Sequence, residues 1–314
     1  MRYLLALLVV VAFGTAILFW RNAQSDAMVQ DDGADVQAFY QTGRMLPQGE
    51  LRVYHLGHSL VGQDMPAMLA QLAGQGYDYA LQLGWGAALR EHHQGPQAIN
   101  GFDQENATPR YRDAHEALKS GDYDAFVMTE MMRLTDAIQY KESSIYAGKW
   151  AVEAAQGNAD GEIFLYESWH ALDDEPDWLA RLPEDLEMLW KPGLLWPAAR
   201  AAGKPVWLIP AGQVMARLVA EAETAGGIAE LKSREDLFAR NADGSLDPIH
   251  PNDLGFYLVA LTHYAVLYGK SPVSLPHELL RADGTPADAP SPELARRMQE
   301  LVWEVVSTNP LTGV

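Results

Sequence analysis

The chain has no cysteine among its 314 residues. That absence excludes disulfides, thiolate metal ligands, a cysteine nucleophile and a lipid-bearing N-terminal cysteine. Positive charge is scarce too: 23 Lys and Arg stand against 42 Asp and Glu, a formal charge of −19. No basic run or basic-aromatic stretch interrupts the acidity, which argues against a nucleic-acid partner. Internal repeats are missing, and Gly226-Gly227 lacks the spacing of a phosphate loop. No ligand set for a metal stands out. In Glu91-His92-His93 the adjacent histidines point apart and no third ligand is in view, so a solvated or substrate-lining loop is expected there. Neither metal nor cofactor is implied.

The longest uncharged run goes from Tyr3 to Trp20 and is closed by Arg21. It is long enough to span a bilayer, and the small residues after it (Ala23, Ser25, Ala27) form a poor cleavage pattern. Residues 1–21 are therefore expected to be a signal-anchor, or else a signal peptide, that exports the rest of the chain. Arg2 and Arg21 nearly balance, so the charge bias across this segment is weak. Membrane contact is expected through this segment only. Residues 22–48, polar and acidic, read as a spacer, and residues 49–314 as one domain, since 48% apolar content suffices for a full core.

Within the domain, short apolar runs alternate with helical spacing. Strands are expected at 51–56, 79–83, 124–129, 162–166 and 205–209. Helices are expected around 65–73, 112–118, 145–155, 194–202, 255–268 and 294–305. That rhythm predicts a parallel sheet of about five strands covered on both faces, a three-layer α/β/α fold. Ligands of such sheets bind beyond the carboxyl ends of the strands. Following those ends are Gly57-His58-Ser59, Gly84-Trp85-Gly86, Thr129-Glu130, Glu167-Ser168-Trp169-His170 and Pro210-Ala211-Gly212.

Asp247 and His250, in Asp247-Pro248-Ile249-His250-Pro251, precede the last sheet-covering helix and can reach the same edge. A hydroxyl, an imidazole and a carboxylate are what acyl transfer needs: nucleophile, base, and a group holding the base in one tautomer. Plainer roles exist for each. Ser59 suits a helix N-cap and Asp247-Pro248 a turn, although Asn252 and Asp253 are better placed to cap the next helix. Glu167 and His170 suit either the substrate cleft or a structural hydrogen-bond network, with His170 a secondary option for the base. Nine tryptophans suit core filling or sugar stacking. The acidic run Asp173-Asp174-Glu175-Pro176-Asp177 reads as a solvated loop.

Gly57-His58-Ser59-Leu60, the glycines after the second strand and Asp247-x-x-His250 together resemble the SGNH/GDSL hydrolase superfamily over residues 50–270. The resemblance implies a flavodoxin-like sheet and ester hydrolysis with Ser59 as nucleophile, His250 as base and Asp247 orienting it. It implies oxyanion donors at Ser59, at Gly84 or Gly86, and after the third strand. There the chain departs from the family: Thr129-Glu130 replaces Gly-x-Asn, as His58 replaces the usual Asp. Thr129 would then donate through its hydroxyl. Substrate contacts are expected from Glu130, Trp85, His92, Glu167 and His170. The expected substrate is a small-molecule or glycan ester, O-acylated carbohydrate by analogy. The alternatives are an O-acyltransferase with the same triad and a non-catalytic glycan-binding protein.

Overall fold

Five apolar runs pair side by side as parallel strands. They are β1 (Leu51–His58), β2 (Tyr77–Gly84), β3 (Ala125–Met128), β4 (Glu162–Glu167) and β5 (Val206–Pro210), in spatial order β2-β1-β3-β4-β5. The register sets Val53 against Tyr79 on one side and Ala125 on the other. This computed structural model describes residues 31–174 and 177–314. The expected anchor at 1–21 and the first part of the spacer lie outside the described residues, as do Glu175 and Pro176. Among the described residues no helix is long and apolar enough to cross a membrane.

The helices follow in chain order: α1 (Asp64–Ala73), α2 (Leu89–Gln94), α3 (Phe102–Glu105), α4 (Ala114–Ser120), α5 (Leu134–Tyr140), α6 (Ser143–Gly157), α7 (Trp178–Asp185), α8 (Trp196–Ala202), α9 (Ala211–Ala225), α10 (Asp253–Tyr268) and α11 (Pro292–Thr308). A π-helical stretch, Leu186–Leu195, joins α7 to α8. Alternate side chains of each strand enter two separate cores. Val53, Leu81, Val127, Phe164 and Ile209 pack with α1, α9, α10 and α11. Tyr54, Leu56, Phe126, Leu165 and Leu208 pack with α4, α6 and α8. The protein is therefore a three-layer α/β/α domain with flavodoxin-like strand order. All five strands and six helices lie where the alternation of apolar runs predicts, within a few residues. An antiparallel pair, β6 (Phe238–Arg240) with β7 (Leu246–Pro251), has no counterpart in that alternation; it carries Asp247 and His250.

The spacer expectation needs correction for residues 31–48. Val36 is buried, and Tyr40 lies edge-on to Trp196 and Trp207 while its hydroxyl donates to the Val206 carbonyl at 2.9 Å. Arg44 is buried as well: it pairs with Glu162 at 2.7 Å and donates to the Val266 carbonyl. Three anchors spaced by four residues thus dock an acidic segment on β5 and α10. Acidity hid them: Asp31 and Asp35 read as spacer charges, whereas both pair with Arg200 on α8 at the surface.

Removing one member of a buried ion pair strands the other, at a typical cost of about 3 kcal/mol or more. Arg44→Ala, and a chain begun at Gln48, are both expected to lose about that much unfolding free energy in urea titrations. Unchanged stability of the shortened chain would mean that the segment is dispensable.

Candidate active site

Strand order places the topological switch between β1 and β3. Connections leave them toward opposite faces there, opening a crevice at their carboxyl ends. Ser59 follows β1 at that crevice. The turn carrying it demands close approach: a Cβ on Gly57 would stand 2.6 Å from Thr129 Cγ2 and 2.8 Å from Val61 Cγ2. His92 Nε2 lies 2.8 Å from the Gly57 carbonyl, and its Nδ1 lies 3.0 Å from Gln82 Nε2. His58 Nε2 lies 2.8 Å from the Glu130 carbonyl, while its Nδ1 accepts the Leu60 N–H at 3.4 Å. Both rings are buried and so fixed as neutral Nε2–H tautomers. Burial pushes His58 down to about 4 and His92 down to about 3.

From the opposite side, β7 presents its own pair. Asp247 Oδ1 accepts the backbone N–H groups of Ile249 and His250, each at 3.0 Å, and Oδ2 lies 2.8 Å from His250 Nδ1. Burial pushes the Asp247 carboxyl up, but these hydrogen bonds together outweigh it and hold the carboxyl below its ordinary value. His250 Nδ1–H donates to that carboxylate, which leaves Nε2 free to accept; it stands 2.9 Å from Ser59 Oγ. Two bonds from the loop after β4 hold the strand in place: Trp169 Nε1–H to the Ile249 carbonyl (2.9 Å) and Leu172 N–H to the Pro248 carbonyl (2.8 Å). Asn252 caps α10 by accepting the Gly255 N–H, leaving Asp247 to the histidine.

Ser59 and His250 open into a cleft of about 570 Å³. Its walls include His58, Leu60, Ile249, Met132 and the pair Trp85-Gly86. Four charged residues complete it: Glu105, Arg133, Asp173 and Asp174. The run Asp173-Asp174 is therefore a cleft wall, with Asp174 bound to Arg133 at 3.2 Å. Glu105 and Arg133 carry no motif and reach the cleft only through the fold, so the sequence offers no signal for either.

Of the expected substrate contacts, Trp85 is in the cleft and four residues are not. His92 and Glu130 stand behind the Ser59 turn and support it. The Glu130 carboxylate accepts the N–H groups of Leu89 (3.2 Å) and Met131 (2.8 Å). Glu167 is buried and accepts from the backbone and side chain of Gln213 on α9 at 3.2 and 3.0 Å. His170 is also buried, 3.4 Å from Asp185 and away from Ser59. Glu130, Glu167 and His170 stand at or near strand ends and His92 in the helix after β2, but all four are buried in packed protein. Among the expected oxyanion donors, Ser59 and Gly86 line the cleft. Gly84 and Thr129 do not: Gly84 is a glycine because Ile99 would sit 2.2 Å from its Cβ. Thr129 is fully buried beside Gly57, and its hydroxyl has no hydrogen-bond partner among the described residues and does not reach the cleft. Among the described residues no group of side chains suits a metal ion.

Comparison with known proteins adds little beyond the geometry. No family model matches the chain, and no curated protein does. A crystal structure described as "a putative GDSL-like lipase from Parabacteroides merdae" aligns with 72% of this chain and 99% of its own. The two share 10% identity at a TM-score of 0.43.

Burial, the leading cause, pushes the carboxyls of Glu130 and Glu167 up to about 7 and about 8 from an ordinary 4.5. Between the ordinary and raised values the folded chain holds protons that the unfolded chain has released, so stability falls as pH rises through that window. Glu130→Gln and Glu167→Gln carry no such proton. In urea titrations, each variant is expected to gain stability relative to the parent from pH 5 to pH 8. A pH-independent difference would show that the carboxyls are not protonated in the fold.

Proposed function

We propose that the chain is a serine ester hydrolase of the SGNH type, acting through an acyl-serine intermediate. The observation that carries this reading is the continuous relay from Asp247 through His250 to Ser59, with links of 2.8 and 2.9 Å. It opens into a cleft large enough for an ester of drug-like size.

In this reading Ser59 Oγ attacks the ester carbonyl as His250 Nε2 takes its proton, and Asp247 stabilises the imidazolium. The negative oxygen of the tetrahedral intermediate is met by the backbone N–H groups of Ser59 and Gly86. Gly86, with φ of +53°, sits in the left-handed region that glycine adopts without strain. Collapse expels the alcohol, which receives the proton from His250. Water then attacks the acyl-serine, again with His250 as base, and Ser59 is regenerated. His58, in place of an acidic residue, works as a neutral strut between the β1 and β3 loops. The residues resembling the SGNH pattern support the same chemistry. The uncharged stretch before Arg21 supports a location outside the cytoplasm.

Hydrolysis of p-nitrophenyl acetate by the purified protein tests this. Ser59→Ala and His250→Ala are each expected to lower kcat by about 10³-fold or more, and Asp247→Asn by a comparable factor. Turnover that survives Ser59→Ala rejects the nucleophile. Release of p-nitrophenol only when an oligosaccharide acceptor is added, with the acetyl group recovered on the acceptor and not as acetate, would make the protein an acyltransferase instead.

A further inference from the structure

Trp85 is an anomaly among the tryptophans of this fold. It is 52% exposed, whereas Trp150, Trp169, Trp178, Trp190, Trp196 and Trp207 are all buried. Exposed indoles are normally mobile, but this one is held at three points. Its backbone N–H donates to the Asn100 carbonyl at 2.8 Å, and its ring Nε1–H donates to Glu105 Oε1 at 2.7 Å. Beneath the ring lies Gly101, where a Cβ would come within 2.2 Å of Cδ2 and 2.4 Å of Cε2. Gly101 has φ of +68°, so both its conformation and its lack of a side chain let the indole lie flat on the backbone. The ring is thus fixed before any ligand arrives and loses little rotamer freedom on binding.

The surrounding charge narrows what that ligand is. Glu105, Asp173 and Asp174 line the cleft against a single guanidinium, Arg133, which Asp174 already engages. An anionic ligand would meet this excess of carboxylates on a chain of formal charge −19. A neutral ligand with an apolar face and hydroxyl rims matches the indole and the carboxylate oxygens together.

We propose that Trp85 and Glu105 form a stacking platform for the alcohol part of the substrate, an uncharged pyranoside whose ester points at Ser59. The C–H face of the sugar lies on the indole, and its hydroxyls donate to the free oxygen of Glu105. This rests on the hydrolase reading for the orientation of the ester, and binding of the sugar tests it separately.

The full chain carrying Ser59→Ala, titrated calorimetrically with cellotriose, N,N′,N″-triacetylchitotriose and trigalacturonic acid, reports binding without turnover. At least one neutral trisaccharide is expected to bind, and trigalacturonic acid about tenfold more weakly or not at all. Adding Trp85→Ala is expected to weaken the neutral sugar about tenfold. Glu105→Ala, which frees the indole while keeping it, is expected to weaken binding as well and serves if the first variant fails to fold. No binding of either neutral sugar, or binding indifferent to both substitutions, overturns the platform. Equal binding of the anionic sugar overturns the assignment of charge. Hydrolysis of p-nitrophenyl acetate by the parent protein is read alongside. Turnover without sugar binding spares the hydrolase and removes the platform; sugar binding without turnover does the reverse.

Discussion

A parallel sheet with both faces covered by helices leaves its polar backbone and side chains one outlet, the rim where the strands end. Here β1 and β3 are buried on both sides, so everything chemically active has to gather beyond their carboxyl ends. That constraint explains why residues as far apart in sequence as Ser59 and His250 meet at 2.9 Å. It also explains why the cleft draws its walls from so many separate loops.

Holding Ser59 at such a rim needs rigidity, since the residue after a strand is free to wander. The chain supplies it with neutral histidines. His92 grips the Gly57 carbonyl and His58 grips the Glu130 carbonyl, so the turn is tied to α2 and to the loop after β3. Neither ring can carry charge near neutral pH, because burial holds both well below the ordinary value. The two rings that hold the Ser59 turn are therefore neutral dipoles, whereas Asp247 brings a full charge to His250.

Much of this is legible in the residues alone. The alternation of apolar runs and helical spacing fixes the layers, because burial on both faces is written into continuous runs such as Phe164-Leu165-Tyr166. Asp247 and His250 are legible because a carboxylate and a ring three residues apart in a turn can meet locally. Depth is not legible. Glu130, Glu167 and His170 lie at or just past strand ends much as Ser59 and Trp85 do, and His92 lies in the helix after β2, yet these four are buried supports. Only packing by neighbours such as Gln213 and Gln82 tells them apart, and those neighbours are brought in by other elements of the fold. The segment from Val36 to Arg44 is hidden for a related reason: three anchors among acidic residues make no periodic face.

The two halves of the relay belong to parts of the molecule with different anchorage. Ser59 extends from a central strand embedded in both cores, whereas His250 rides on a short outer ribbon, β6–β7, fastened by the Trp169 and Leu172 hydrogen bonds. Phe238 of that ribbon packs edge-on against Trp169 and Trp178, so its hold on the core rests on side-chain contacts and not on the main sheet's ladder. A change that loosened those contacts would part His250 from Ser59 while the sheet and its helices remain assembled. The fold's endurance and the durability of its chemistry are two separate properties, set by different residues and open to separate adjustment.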